Sequence, residues 1–406
     1  MTSAPRLSVV VVSWGRPRAL ARCLTALGQM RSVRFEVIVV ADDDGLAVAR
    51  TLPLARRLVL LPQGTGNIAA ARNSGIAASA GEVVAFIDDD AVPEPGWAEA
   101  LLDGIAASAA DAATGPVIGR NGISLQWGRM AVDRLGRDCW LDAEAAPGAD
   151  AALKLHGTNM AVRRDSLTRT GGFDTGFPFY LDDTDLALRL AARGLRSTYL
   201  PGARVHHGFA ASARRTEDRV PLDLHDIGAS TALFLRKHAA GETDPALAAL
   251  DRDQRARLLR LARRRKLGPD AMRRLMETLA DGIAAGRVRA SAEPAIGAPT
   301  RAFTALRDAP PPPLLRLEGW THRAKTPRDA AAAAVAAGRP AAVQLLEPTP
   351  RKHRVTFTEG GWWEQRGGLL GPAERSAPRV QFWRVTTRRQ REWQRLLPGA
   401  DGQDRQ

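Results

Sequence analysis

The chain has 406 residues, 45% of them hydrophobic and 25% charged, which is enough to bury a large core spread over two or three domains. That balance excludes a mainly disordered or collagen-like chain, and the two cysteines, Cys23 and Cys139, exclude a disulfide-stapled one and fit a reducing compartment. A formal net charge of +14 raises nucleic acid or an anionic surface as a partner, and the distribution of that charge decides how far the idea carries.

Leu7–Val12 is a near-continuous apolar run and predicts a buried strand. It is short, β-branched and preceded by no basic cluster, unlike a secretory leader. No stretch reaches the ~18 apolar residues of a membrane helix, so a cytoplasmic location is expected. Pro17 suits a helix start, and Leu20, Cys23, Leu24 and Leu27 follow at helical spacing. Glu36–Val40 and Leu58–Leu61 predict two further strands, Asn67–Ala80 an alanine-rich helix stopped by Gly81, and Val83–Ile87 a strand running into Asp88-Asp89-Asp90. A strand at Met160–Arg163, a helix over Asp183–Arg193 ended by Gly194, and short strands at Ser197–Leu200 and Ala203–His206 complete the first half. The alternation predicts an α/β sheet domain over residues 1–235.

Beyond residue 235 the style changes. Residues 1–235 carry 25 basic and 26 acidic side chains and residues 236–406 carry 33 and 18, so the whole excess of positive charge lies in the second part. Only five of the 58 basic residues are lysine, a preference that coding bias explains as readily as function. Ala246–Gly286 reads as continuous helix within a basic segment, 236–290. Residues 291–313, with Pro294, Pro299 and Pro310–Pro313, read as a Pro-rich linker. Residues 314–406 form a Trp- and Arg-rich region with little periodicity and no RNP, KH or zinc pattern, which speaks against nucleic acid. Over Arg252–Lys266, helical geometry sets Arg255, Arg263 and Lys266 near one face and Leu258, Leu261 and Ala262 near another. That is the pattern of a helix lying on the inner face of an anionic membrane; the alternative is a solvated helix packed on the first domain.

Three constellations can carry chemistry. Asp88-Asp89-Asp90 ends a buried strand, where ligands of open α/β sheets bind, and adjacent carboxylates repel unless a cation such as Mg²⁺ or Mn²⁺ sits among them. The alternative is a solvated turn. Asp182-Asp183-Thr184-Asp185 opens a helix, as an N-terminal acidic cluster or as a general base. His206-His207 follows a short strand and suits metal ligation or a structural hydrogen bond. Gly64-Thr65-Gly66-Asn67-Ile68-Ala69 matches a dinucleotide fingerprint but follows the third strand rather than the first, which argues against hydride transfer.

Taken in order, these residues resemble the family 2 glycosyltransferases and their GT-A fold, over about residues 6–210. Ser8–Pro17 (S-V-V-V-V-S-W-G-R-P) is similar to the family's donor loop, with Val12 and Gly15 as departures. Glu36–Asp42 resembles the strand ending in the acidic residue that reads the base, with Ala41 out of pattern and Asp42 or Asp43 left for the role. Gly66-Asn67, Ala71-Arg72-Asn73-Ser74-Gly75, Phe86–Asp90, Gly171-Gly172-Phe173-Asp174, Asp182–Leu186 and Pro201–His207 complete the match, Asp182 replacing a common Glu.

The resemblance implies a nucleotide-sugar-binding sheet and an inverting enzyme of bacterial-type surface glycan or polysaccharide synthesis. It places Asp90 and His207 on a divalent cation, Mg or Mn. Ser13, Trp14, Asp42, Asn67, Asp88 and Asp89 fall on the donor side, Trp14 stacking on the base and Asp88 near the ribose or sugar. Asp183 becomes the catalytic base, with Asn159 and Asp182 on the acceptor side. The implied partners are a nucleotide-sugar and a glycan or lipid-linked acceptor; the alternative is a nucleotide-sugar-binding or nucleotidyltransferase-like protein without glycosyl transfer.

Overall fold

A computed structural model of the chain describes residues 6–396 apart from 144, 209–213, 215, 217 and 219. β1 (Leu7–Ser13) sends Val9 and Val11 into one core and Val10 into the other, as a strand buried on both faces must. α1 (Pro17–Leu27) starts at its proline and buries Leu20, Cys23, Leu24 and Leu27. β2 (Phe35–Ala41), α2 (Asp43–Thr51), β3 (Leu58–Pro62), α3 (Ile68–Ala78) and β4 (Val83–Asp88) follow. The sequence pattern passes over α2, whose start is fixed by Asp42 accepting from the Gly45 N–H at 3.0 Å. α3 lies close on β1 because Gly75 has no side chain: a Cβ there would sit 2.3 Å from Val10 Cγ1.

β5 (Ala91–Pro93), α4 (Trp97–Ser108), β6 (Ala112–Thr114), β7 (Val117–Ile118), β8 (Leu125–Trp127), β9 (Met130–Asp133), β10 (Asp138–Trp140), β11 (Ala151–Leu153), β12 (Met160–Arg163), α5 (Arg164–Thr170), α6 (Asp182–Ala192), β13 (Ser197–Tyr199) and β14 (Val205–His207) complete the first half. The main sheet runs β13-β6-β12-β4-β1-β2-β3, parallel except for β12. Its β3-β2-β1-β4 part has the strand order of a nucleotide-binding half-sheet, so the expected α/β class holds. Ser13 pairs with Ala41 and Val12 with Asp88, which brings the carboxyl ends of β1, β2 and β4 to one rim. Two small sheets, β5-β14-β7-β8 and β10-β9-β11, stand beside that rim; most of their strands are too short for alternation to announce them.

α7 (His225–His238), α8 (Thr243–Arg263) and α9 (Pro269–Val288) follow, so the boundary expected at 235 falls inside a helix. The continuous helix expected over 246–286 is broken. Arg265 turns to φ 54°, Gly268 is extended, and Pro269 starts the next helix. α7 and α9 cross at backbone distance, since a Cβ on Gly282 would come 2.0 Å from the His225 carbonyl oxygen.

Residues 291–313 do not form a free linker. The Ala292 N–H donates to Asp174 at 2.8 Å, Ile296 and Leu306 are buried, and the Leu306 N–H donates to the Phe35 carbonyl at 2.9 Å. Arg301 pairs with Glu36, a carboxylate buried within β2 that also accepts from Ser8 Oγ at 2.6 Å. Apolar anchors and one needed counter-charge turn a proline-rich stretch into a strap.

The strap leads to β15 (Leu315–Trp320), α10 (Lys325–Ala336), β16 (Ala341–Glu347), β17 (Arg354–Phe357), β18 (Trp363–Gly368) and α11 (Val385–Leu396); the last ten residues of the C-terminal region lie outside the described residues. Their sheet, β15-β16-β18-β17, docks on the first half. The Val355 N–H donates to the Asn121 carbonyl at 2.9 Å, Gln29 Nε2 donates to the Gly361 carbonyl at 2.6 Å, and Val92 and Ala26 share a core with Phe357 and Trp363.

Inside this unit His353 is fully buried, its Nε2 2.9 Å from the Gly368 carbonyl oxygen and its Nδ1 2.8 Å from Gln365 Nε2. Burial, aided by the Arg388 charge, holds its pKa down to about 4 against an ordinary 6.5. Its stabilisation is therefore complete above pH 6.5 and is lost as pH falls toward 4, by about 3 kcal/mol. Urea titrations followed by tryptophan fluorescence, with Trp320, Trp362, Trp363, Trp383 and Trp393 all in this region, should show the midpoint dropping between about pH 7 and about pH 4.5. The variant His353→Gln should flatten most of that drop; an equal drop in the variant would clear His353 of the effect.

Candidate active site

Asp88 closes β4, Asp90 precedes β5, and β5 pairs antiparallel with β14 so that His207 lies opposite Ala91. This register gathers Asp88, Asp90 and His207, with ligand atoms all within 4.8 Å of one another; His207 Nε2 is 3.2 Å from Asp90 Oδ1. Two carboxylates and an imidazole form a donor set that suits Mg²⁺ or Mn²⁺. Arg16, from the loop after β1, reaches the same corner, 2.7 Å from Asp89 and 3.4 Å from Asp90.

Asp89, expected on the donor side, is turned into the protein. It is fully buried and accepts from Ser13 Oγ at 2.7 Å. Ser13 and Asp89, both expected on the donor side, are thus paired to each other beneath the rim, at the turn that follows β4. Burial pushes the Asp89 carboxyl up to about 7, against the pull of Arg16. Asn67 likewise braces: it accepts from the Ala70 N–H at 3.0 Å, capping α3, and donates to the Thr175 carbonyl at 2.9 Å. Trp14 stands 48% exposed on the rim, as a stacking surface must. Beside it Gly15, at φ 68°, donates its N–H to Asp42 at 2.6 Å. Asp42 therefore holds the loop that carries Trp14, while Asp43 is exposed in the first turn of α2.

The acidic helix start sends its three carboxylates three ways. Gly171, Gly172, Tyr180 and Leu181 all have positive φ, and the last two, neither of them glycine, force the chain sharply into α6. Asp185 points into the protein, where His238, Arg189 and Lys237 overcome the effect of burial and hold it at about 2. Asp182 is buried against Arg72, and burial pushes it up to about 6 despite that guanidinium. Asp183 stays half-buried, accepting from the Gly157 N–H at 2.8 Å and the Thr184 N–H at 2.7 Å.

Arg72 joins the two acidic motifs. Besides Asp182 it touches Asp88 at 3.3 Å and donates to the Gly157 carbonyl at 3.0 Å, and it is only 5% exposed. The sequence held a signal for it: Ala69, Arg72 and Ile76 share one helical stripe, so an arginine stands where the core is due. Trp127 went unnoticed for want of any pattern. Its ring stacks 5.7 Å from His156, beside Gly157, and lies 5.7 Å from His207, bridging the metal corner and the Asp183 side. Asn159, expected on the acceptor side, sits inside the fold. It is fully buried, accepts from Trp97 Nε1 at 2.8 Å, and donates to the Pro116 and Ala203 carbonyls at 3.1 and 2.8 Å, leaving its amide no free end.

Residues 5–219 match the model of the family described as glycosyltransferase like family 2. An N-acetylglucosaminyl-diphospho-decaprenol L-rhamnosyltransferase of Mycobacterium tuberculosis is 30% identical over 272 residues, 58% of this chain and 85% of the relative. The succinoglycan biosynthesis protein ExoM of Rhizobium meliloti is 30% identical over 186 residues, 42% of this chain and 59% of the relative. Among solved structures, S. aureus TarS 1-349 in complex with UDP-GlcNAc is similar with a TM-score of 0.47 at 17% identity, over 69% of this chain and 81% of that one. The mannosyltransferase PcManGT from Pyrobaculum calidifontis, in complex with GDP-Man and Mn2+, gives 0.43 at 20% identity, over 70% and 88%.

Proposed function

The chain belongs to glycosyltransferase family 2 and transfers a sugar from a nucleotide-sugar donor, and from that premise we propose that the transfer is metal-dependent and inverting. The observation that carries this reading is the Asp88, Asp90 and His207 corner, tied through Arg72 to the helix start that bears Asp183. A divalent cation held at that corner supplies charge neutralisation for the departing diphosphate. Trp14 stacks on the nucleobase, and Asp42 keeps the Trp14 loop in place. Asp183 takes the proton of the acceptor hydroxyl as its oxygen attacks the anomeric carbon; the bond from that carbon to the diphosphate oxygen breaks on the opposite face, which inverts the centre. Arg72 fixes Asp182 and the Gly157 carbonyl, so the Gly157 N–H stays directed at Asp183.

The acceptor we propose is a lipid-linked or growing glycan of a bacterial-type surface polysaccharide. The support is chemical kinship: the relatives named above act on a sugar-diphospho-decaprenol and in succinoglycan synthesis. A screen of UDP-, GDP- and dTDP-sugars for hydrolysis, with Mn²⁺ and with EDTA, tests the reading. At least one donor should be hydrolysed only with the metal; hydrolysis unaffected by EDTA would overturn the metal role.

A further inference from the structure

α8 carries a row of exposed arginines along one side, and not on the side that sequence spacing suggests. Arg255 is engaged by Asp251 at 2.7 Å, Leu258 is buried against Leu224 and Leu275, and Lys266 lies beyond the helix, 2.9 Å from Asp218. Arg252, Ala256, Leu259, Arg260 and Arg263, spaced i, i+4, i+7, i+8 and i+11, are all exposed on one stripe. Arg264 and Arg265 extend it around the turn, and Leu259 stands 45% exposed in its middle. Arg252, Arg260, Arg263, Arg264 and Arg265 have no acidic partner among the described residues, and Asp253 at the edge is the counter-charge nearest the stripe in sequence.

Guanidinium groups left unpaired around a projecting leucine complement a layer of phosphates over an apolar layer. We propose that this outer face of α8 docks the enzyme on an anionic phospholipid bilayer. The stripe carries no aromatic ring on which an unpaired base could stack, and the exposed Leu259 has a use in an acyl layer but none on a duplex phosphate backbone, which favours a lipid surface over nucleic acid. No described helix is long and apolar enough to cross a membrane.

The support behind α8 connects the docked face to the site. α8 packs on α7 and α9 through Leu258, and α7 holds the Phe179 carbonyl through Ser230 Oγ at 2.6 Å, next to Tyr180 and three residues before Asp182. Arg257, on the inner side of α8, is close enough for its charge to act on the Tyr180 hydroxyl. The docked helix is therefore braced, through α7, against the loop that leads into α6. The use of such docking rests on the lipid-linked acceptor proposed above; the docking itself does not.

The full chain is to be sedimented with vesicles of phosphatidylcholine alone and of equal parts phosphatidylcholine and phosphatidylglycerol, at low and high salt. It should pellet with the anionic vesicles only, and high salt should release it. The variant Arg260→Gln/Arg263→Gln/Arg264→Gln/Arg265→Gln should lower partition about 10²-fold or more, Leu259→Ser should lower it less, and Arg323→Gln/Lys325→Gln on the C-terminal unit should leave it unchanged. Protein left in the supernatant with anionic vesicles at low salt, equal binding to neutral vesicles, or an equal effect of the control variant overturns the proposal. So does binding to duplex DNA that the fourfold variant loses while vesicles fail to bind. Donor hydrolysis in lipid-free buffer is read in parallel. Lost pelleting with intact metal-dependent hydrolysis removes the docking alone; failed hydrolysis with intact pelleting removes the proposed chemistry and leaves the docking standing.

Discussion

Replacing Asp90 by alanine should abolish transfer while leaving the chain folded. Asp90 is 2% exposed and lies between His207 at 3.2 Å and Arg16 at 3.4 Å. Its loss takes away the carboxylate that links the β4 end to β14, and Asp88 and His207 alone make a poor cage for a hard cation. Turnover should fall by about 10³-fold or more, because neutralising the departing diphosphate is the step asked of this corner. Titration calorimetry should show Mn²⁺-dependent binding of the nucleoside diphosphate weakened, and circular dichroism should show the fold unchanged, since alanine keeps the backbone carbonyl that accepts from the Gly208 N–H at 2.8 Å. Transfer at the wild-type rate in the variant, or in excess EDTA, would remove the cation from the mechanism.

A different signature is expected of Asp183→Asn. The amide retains the shape of the carboxylate and keeps one oxygen to accept from the Gly157 N–H, giving up only the local bond from the Thr184 N–H, so the helix start should hold. What it cannot do is take a proton, and kcat should fall by about 10²–10⁴-fold with donor affinity nearly intact. Asp182→Asn should behave otherwise: it loosens the Arg72 contact that ties α6 to Asp88, so KM and stability should suffer together. An active Asp183→Asn beside an Asp182→Asn that lacks only turnover would place the base one residue earlier. Steady-state kinetics with equilibrium donor binding separates the two outcomes.

Why these residues could be picked from sequence, and others could not, follows from what each depends on. Leu7–Val12, Glu36–Val40 and Val83–Ile87 are strands buried on both faces, and a continuous apolar run announces such a strand wherever it occurs. Asp88, Asp90 and His207 are likewise visible as acids and imidazoles at strand ends. Asp89 and Asn159 show the limit: each has a residue type that suits a site, but each is buried on partners distant in sequence, Ser13 for the one and Trp97, Pro116 and Ala203 for the other. The strap is not legible in sequence, because proline content dominates a local window, whereas Arg301 and Leu306 find their partners some 265 residues away, at Glu36 and Phe35. The break between α8 and α9 differs: it is written locally, in Gly268-Pro269.

The docking of the last sheet behind the metal corner sets an order of events at the ribosome. His206 and His207 emerge well before Trp363, whose ring meets His206 edge-on with centroids 4.7 Å apart. Synthesis at 5–20 residues per second leaves the back of the β5–β14 pair uncovered for on the order of ten seconds or more. During that interval Val92 and Ala26 present an apolar surface whose cover has not yet been made. The nascent first half therefore carries an uncovered apolar patch until Phe357 and Trp363 have left the ribosome.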